Sequence, residues 1–173
     1  MEDFINETID IKSLPKYEEV VFSKPHPKYR FVVGCNILAF FIFLVITPLV
    51  YSLFNSTFFN PTLWKIIVVL IGTILLITLV VSSIRYKKKG FAFRNHDVLY
   101  RSGSLSTNIV IIPYNRVQHV ALHEGLISRF FGLVKIEIFT AGGESSDISI
   151  PGLEKSEAEN IKQLLMGKIQ KQL

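Results

Sequence analysis

Between residues 24 and 89 the chain has no aspartate or glutamate, although Lys24, Lys28, Arg30, Lys65, Arg85, Lys87, Lys88 and Lys89 all fall there. Six acids (Glu2, Asp3, Glu7, Asp10, Glu18, Glu19) lie before this stretch, and residues 90–173 are nearly balanced, with nine basic and eight acidic side chains. A domain that grips nucleic acid needs a basic face of its own, so this distribution of the +5 net charge removes nucleic acid as a partner. Cysteine is almost absent. Cys35 has no disulfide partner and no second sulfur for a metal site, and reads as a small apolar filler. Also missing are a G-x-S-x-G elbow, a G-x-x-x-x-G-K-[ST] loop and any Cys–His pairing beyond residue 90, so no nucleophile stands out and no cofactor is expected.

Apolar residues are plentiful. They make up 49% of 173 residues, with a mean hydropathy of +0.38, too high for a soluble domain of this size. Phe31–Tyr51 is a run of 21 uncharged residues, which as a helix spans roughly 31 Å, the thickness of a bilayer's hydrocarbon core. Ile66–Ile84 adds 19 more, with Trp64 and Lys65 suited to the interface at its start. Two such runs predict a transmembrane helical hairpin. Buried core helices would show a polar face, and a cleaved signal peptide would not follow 30 mostly polar residues.

Both hairpin ends are basic, with KPHPKYR (24–30) before the first run and RYKKK (85–89) after the second, whereas the connection 52–63 has no lysine or arginine. The positive-inside bias then predicts a multi-pass cell-membrane protein with both termini cytoplasmic. Asn55-Ser56-Thr57 matches a glycosylation sequon by chance. Asn36 reads as interhelical or interfacial polar glue. Three segments result: an acidic tail with a basic juxtamembrane stretch (1–30), the hairpin (31–84) and a cytoplasmic domain (85–173). The tail either is disordered or docks on the basic flank.

From Gly90 the pattern changes to short alternating runs. Phe91–Arg94 and Val98–Ser104 flank a turn at Asn95–Asp97, and TNIVIIP, VQHVALHEG, LVKIEIFTAGG and SDISIPG follow, each bounded by Gly or Pro, which makes six strands. Ser156 and Glu159 have capping-box spacing, and Ala158, Ile161, Leu165 and Ile169 form one apolar stripe, predicting a C-terminal helix packed on the strands. RSGSLSTN (101–108) reads as a strand connection, and GGESSD (142–147) as a hairpin turn rather than an acid–base pair.

His119 and His123, followed by Glu124, raise the question of a metal site. Val120 and Leu122 alternate with them, the period of a strand, and residues four apart on a strand have Cα atoms about 13 Å apart, too far for one zinc. Surface strand histidines are the reading adopted.

The succession VLYRSGSL, IIPYNRVQHVALHEGLISRFFGLVKIEIFTAGG and ISIPGL resembles the bacterial pleckstrin-homology-like (PH-like) domain of the YdbS family of membrane proteins. That family carries IPYxRVQxV, an R-x-F-G-L turn, a strand ending in TAGG, and IPGL before a helix. Here the match falls on Pro113, Arg116, Val117, Gln118, Arg129, Phe131, Gly132, Leu133, Thr140, Ala141, Gly142, Gly143, Pro151, Gly152 and Leu153. The resemblance implies a membrane α-hairpin plus an α+β domain, an antiparallel, partly open PH-like barrel capped by one helix. It further implies a larger related membrane partner with several such domains, and a link to envelope defence. Gly132 suits a left-handed helix end with an aromatic buried beneath it, and Gly142-Gly143 a tight hairpin.

These readings favour a membrane-anchored interaction module with no enzymatic activity, with Arg101, Arg116, His119 and His123 as candidate partner or ligand contacts. For Arg116 a structural hydrogen bond is the simpler role. The alternative is a sensor of anionic membrane lipids through Arg85, Lys87, Lys88 and Lys89, although four cations directly after a span also serve as a topology signal. A transporter or enzyme would need intramembrane ionisable groups or a catalytic constellation, and neither is present.

Overall fold

The computed structural model describes residues 16–54, 60–143 and 147–170. The tail as far as residue 15, the sequon and the Glu144–Ser146 part of the expected turn lie outside the described residues.

Two long helices come first, α1 (Tyr29–Phe54) and α2 (Pro61–Lys88), each longer than its apolar run. α2 starts early because the Asn60 side chain accepts hydrogen bonds from the Thr62 and Leu63 amides, at 3.0 and 3.3 Å, and Pro61 fits the first helical position. Almost nothing of the two helices is buried within the chain: α2 has no buried residue, and α1 only Val32, Phe41 and Ser52. That is the reverse of a soluble core helix and suits side chains that face lipid. Cys35 is exposed on α1, so it fills no packing gap. Asn36 donates to the Val32 carbonyl of its own helix at 2.9 Å instead of bridging to α2, the local main-chain bond open to a short amide side chain in a helix.

The domain follows without a linker. β1 (Gly90–Phe93), β2 (Asp97–Gly103) and β3 (Thr107–Pro113) form one antiparallel sheet, and β4 (Val117–His123), β5 (Leu133–Thr140) and β6 (Ile148–Glu154) a second. A 3-10 turn, Tyr114–Arg116, joins the sheets, and a short helix α3 (Leu126–Phe130) precedes β5. The sheets do not close into one barrel. Strand β5 shows the alternation best, with Ile136, Ile138 and Thr140 inside and Lys135, Glu137 and Phe139 outside.

Helix α4 (Lys155–Gln170) caps the core: Ala158 and Leu165 are fully buried against Ile136, Ile150 and Leu153, with Ile161 and Ile169 packed beside them. Each fully buried Leu or Ile contributes about 1.5–3 kcal/mol. The expected stripe is therefore the packed face. The expected capping box is not formed. β6 runs directly into α4, which begins at Lys155 ahead of Ser156, and Glu159 pairs instead with Lys162 at 3.3 Å. Gly132 is left-handed (φ +67°) as expected, but Phe130 is 87% exposed and Phe131 only half-buried, because α3 is a single turn lying against α1 on the outside of the sheet.

Candidate functional site

The residues singled out from sequence fall on three surfaces. The first is the junction of hairpin and domain. Pro25 lies in extended chain, and Pro27 with Lys28 turns that chain into α1. That extended segment straps the two sheets together. Ser23 exchanges both main-chain hydrogen bonds with Phe91 of β1, each 2.9 Å, while the His26 amide donates to the Gly152 carbonyl of β6 at 2.7 Å. Gly152 is the extra residue of a bulge opposite Val134 and Lys135, which leaves its carbonyl available. Its φ is +75°, and a β-carbon there would lie 2.7 Å from Tyr29 and 3.1 Å from Pro25. His26 Nδ1 accepts from the Lys28 amide, so Nε2 carries the proton and donates to Glu154 at 3.2 Å.

α2 is tied to the same strap. The Tyr86 hydroxyl donates to the Pro25 carbonyl at 3.0 Å. Arg101 Nε donates to the Lys88 carbonyl at 3.2 Å, and its guanidinium lies 4.4 Å from the centre of the Phe22 ring. Arg101 is thus a clamp between β2, α2 and the strap. Lys88 donates to the Leu105 carbonyl at 3.1 Å, and Lys89 sits 5.3 Å from the centre of the Tyr29 ring. Burial pulls the Lys89 ammonium below the ordinary lysine range, and the charge of Arg85 acts in the same direction. No carboxylate pairs with Arg30, Arg85, Lys87, Lys88 or Lys89 among the described residues.

The second surface is the outer face of β4 and β5. His119 stacks on Phe139 with ring centres 4.2 Å apart, and His123 Nε2 lies 2.8 Å from Glu137, whose other oxygen is 2.6 Å from Lys135. The two histidines have separate partners and are not brought together on a common point. The Lys135 hydrogen bond holds the Glu137 carboxyl below the usual carboxylate range; burial opposes it, and the Lys135 and His123 charges add to the lowering.

The third is a notch of about 160 Å³ lined by Ile111, Ile112, Pro113, Arg116, Thr140 and Gly142. The Arg116 carbonyl accepts from the Ala141 amide at 3.0 Å, but its guanidinium has no hydrogen-bond or ion-pair partner among the described residues. A charged group is thus presented beside exposed Ile111, where a carboxylate or phosphate could take its fork of donors.

The family model for the bacterial PH domain matches residues 32–169. The chain belongs to the bacterial PH domain family. It is 30% identical over 93 residues to the UPF0699 transmembrane protein YdbS of Bacillus subtilis (strain 168), a match covering 54% of this chain and 56% of that protein. The match thus spans just over half the length of this curated relative. No solved structure matches the chain. The six strands and α4 form the PH-like open barrel, and α1 and α2 make this a membrane protein with transmembrane helices.

Within the bacterial PH domain the motif residues sit mostly at turns. Pro113 ends β3, Arg129 is exposed on α3, Gly142 and Gly143 (φ +77°) follow β5, and Pro151 and Gly152 form the bulge. Sequence reasoning missed Phe22, His26, Tyr29 and Tyr86, which lock the domain to the hairpin. The available signal was Pro25-x-Pro27 directly before a span, with an aromatic on either side of it.

Proposed function

We propose that this bacterial PH domain is a membrane-anchored interaction module, held on the cytoplasmic side of a multi-pass hairpin with both termini inside. In this reading it works in a heteromeric complex with a larger membrane protein that carries several related domains. The observation that carries the proposal is the junction. A domain whose two sheets are strapped together and to α2 is held in one position against the hairpin, while the Arg116 guanidinium has no partner among the described residues. Such preorganisation suits binding, since a fixed surface loses little freedom on meeting a partner. The basic flanks of the hairpin support the orientation. The link to envelope defence comes from the family resemblance and is part of the proposal.

The test is crosslinking of the full-length protein in native membranes, mild solubilisation and identification of stoichiometric companions. Recovery of a membrane protein with more than one PH-like domain is expected. Recovery of this chain alone contradicts the complex.

A second reading, a sensor of anionic lipid, is favoured by the cations at the junction that have no carboxylate partner. It predicts recovery of the chain with bound anionic lipid.

A further inference from the structure

Next to the domain, α1 and α2 line a cleft of about 860 Å³. Val33, Gly34 and Ile37 of α1 and Ile77 and Val81 of α2 line its interior together with Thr78, whose hydroxyl donates to the Ile74 carbonyl, and Ser82, while Arg30, Arg85 and Lys89 line its mouth. The α1 wall runs from Tyr29 to Ile37, eight steps of 1.5 Å or about 12 Å, and the α2 wall from Ile77 to Lys89, twelve steps or about 18 Å. These lengths bracket the ~15 Å of one leaflet, half of the hydrocarbon core. The cleft is therefore charged at the depth of headgroups and mostly apolar at the depth of acyl chains.

Its charge lacks compensation. None of the three mouth cations meets a carboxylate among the described residues, and between residues 24 and 89 the chain has none to offer. Arg30 sits 5.6 Å from the Tyr86 ring centre and Lys89 leans on Tyr29, so aromatic stems hold the cations in place without neutralising them. Like charges in a partly buried position repel, and an anion between them would relieve the repulsion. Lys87 does not line the cleft, and Lys88 is engaged with Leu105.

We propose that this cleft binds one anionic glycerophospholipid of the leaflet next to the domain, its phosphate held by Arg30, Arg85 and Lys89 and an acyl chain lying along Val33, Gly34, Ile37, Ile77 and Val81. The proposal rests on the lipid reading above and deepens it, moving recognition from a diffuse lysine cluster to a built site between the helices. Two arginines supply the forked donors that a phosphate accepts, and the apolar walls supply what a free phosphate cannot use.

The test uses the full-length protein, delipidated in non-ionic detergent, with phosphatidylglycerol or phosphatidylcholine added and bound lipids counted by native mass spectrometry. One phosphatidylglycerol per chain is expected, bound about tenfold or more tighter than phosphatidylcholine. Arg30→Gln with Arg85→Gln should remove that preference, and Lys87→Gln should leave it unchanged. Gly34→Leu should displace both lipids while keeping every charge, because a β-carbon at Gly34 meets no atom within 4 Å and the larger side chain grows into the cleft. It decides the matter if the double arginine variant does not fold. Equal affinity for the two lipids overturns the proposal, as does displacement of lipid by inorganic phosphate or a lipid-free dimer that occupies the cleft. Loss of binding on Lys87→Gln with Lys88→Gln, but not on the arginine changes, overturns the cleft and leaves the lysine sensor standing. Absence of binding by every variant and by the wild type overturns both.

Discussion

Gly152 has neither a backbone conformation nor a space that an L side chain accepts. Its φ is +75°, and a β-carbon there would overlap Tyr29 at 2.7 Å, so Gly152→Ala should cost more than the about 1–3 kcal/mol of backbone strain alone. Gly132 has the positive φ (+67°) but open space, so Gly132→Ala should lose only the backbone part, about 1–2 kcal/mol. Gly167, exposed in α4 with nothing near, should gain roughly 0.5–1 kcal/mol as alanine. Thermal unfolding in detergent should rank the three variants in that order. Glu137 provides a pH test at the same scale. Its folded pKa is lowered, so its contribution is present above the ordinary carboxylate range and is lost as pH falls through the lowered value. The pair is partly exposed, which limits the effect to about 1 kcal/mol or less. Glu137→Gln should lower the stability at neutral pH by up to that amount, flatten the acid limb of the melting temperature, and leave the most acidic end little changed. The separation of His119 from His123 was legible in sequence, since strand spacing alone decides it. The clamp made by Arg101 was not, because its partners Phe22 and the Lys88 carbonyl are set by how the hairpin meets the domain.

At the scale of elements, strands and helices with a strong period were legible: all six strands, both spans, and the buried stripe of α4. Boundaries set by a junction were not. The start of α4 moved because β6 enters it without a loop, and α2 reaches back to Pro61 through the Asn60 cap. The strap was illegible for a physical reason. It makes one bridge with β1 and one bond to a bulge carbonyl, so it has no period for a sequence to display. Removing one of its ties, as in Tyr86→Phe, should cost about 1 kcal/mol. Hydrogen exchange should then quicken at Ser23 and Phe91 and stay unchanged at Ile136 and Ile138. Uniform quickening across the domain would mean that the strap and barrel open as one unit.

At the scale of the molecule, the partition of charge read from sequence corresponds to the built object: cations gather where hairpin and domain meet, and the domain itself is near balance. What lay beyond the sequence was that these cations surround a cleft and a strap, and that the side chain of Arg116 has no partner among the described residues. In the proposed binding module a partner would meet this group beside Ile111. The most direct measurement is a photo-crosslinking side chain placed at position 116 in native membranes. The account predicts an adduct with a membrane protein carrying several PH-like domains. Adducts confined to lipid or to other copies of this chain would contradict it.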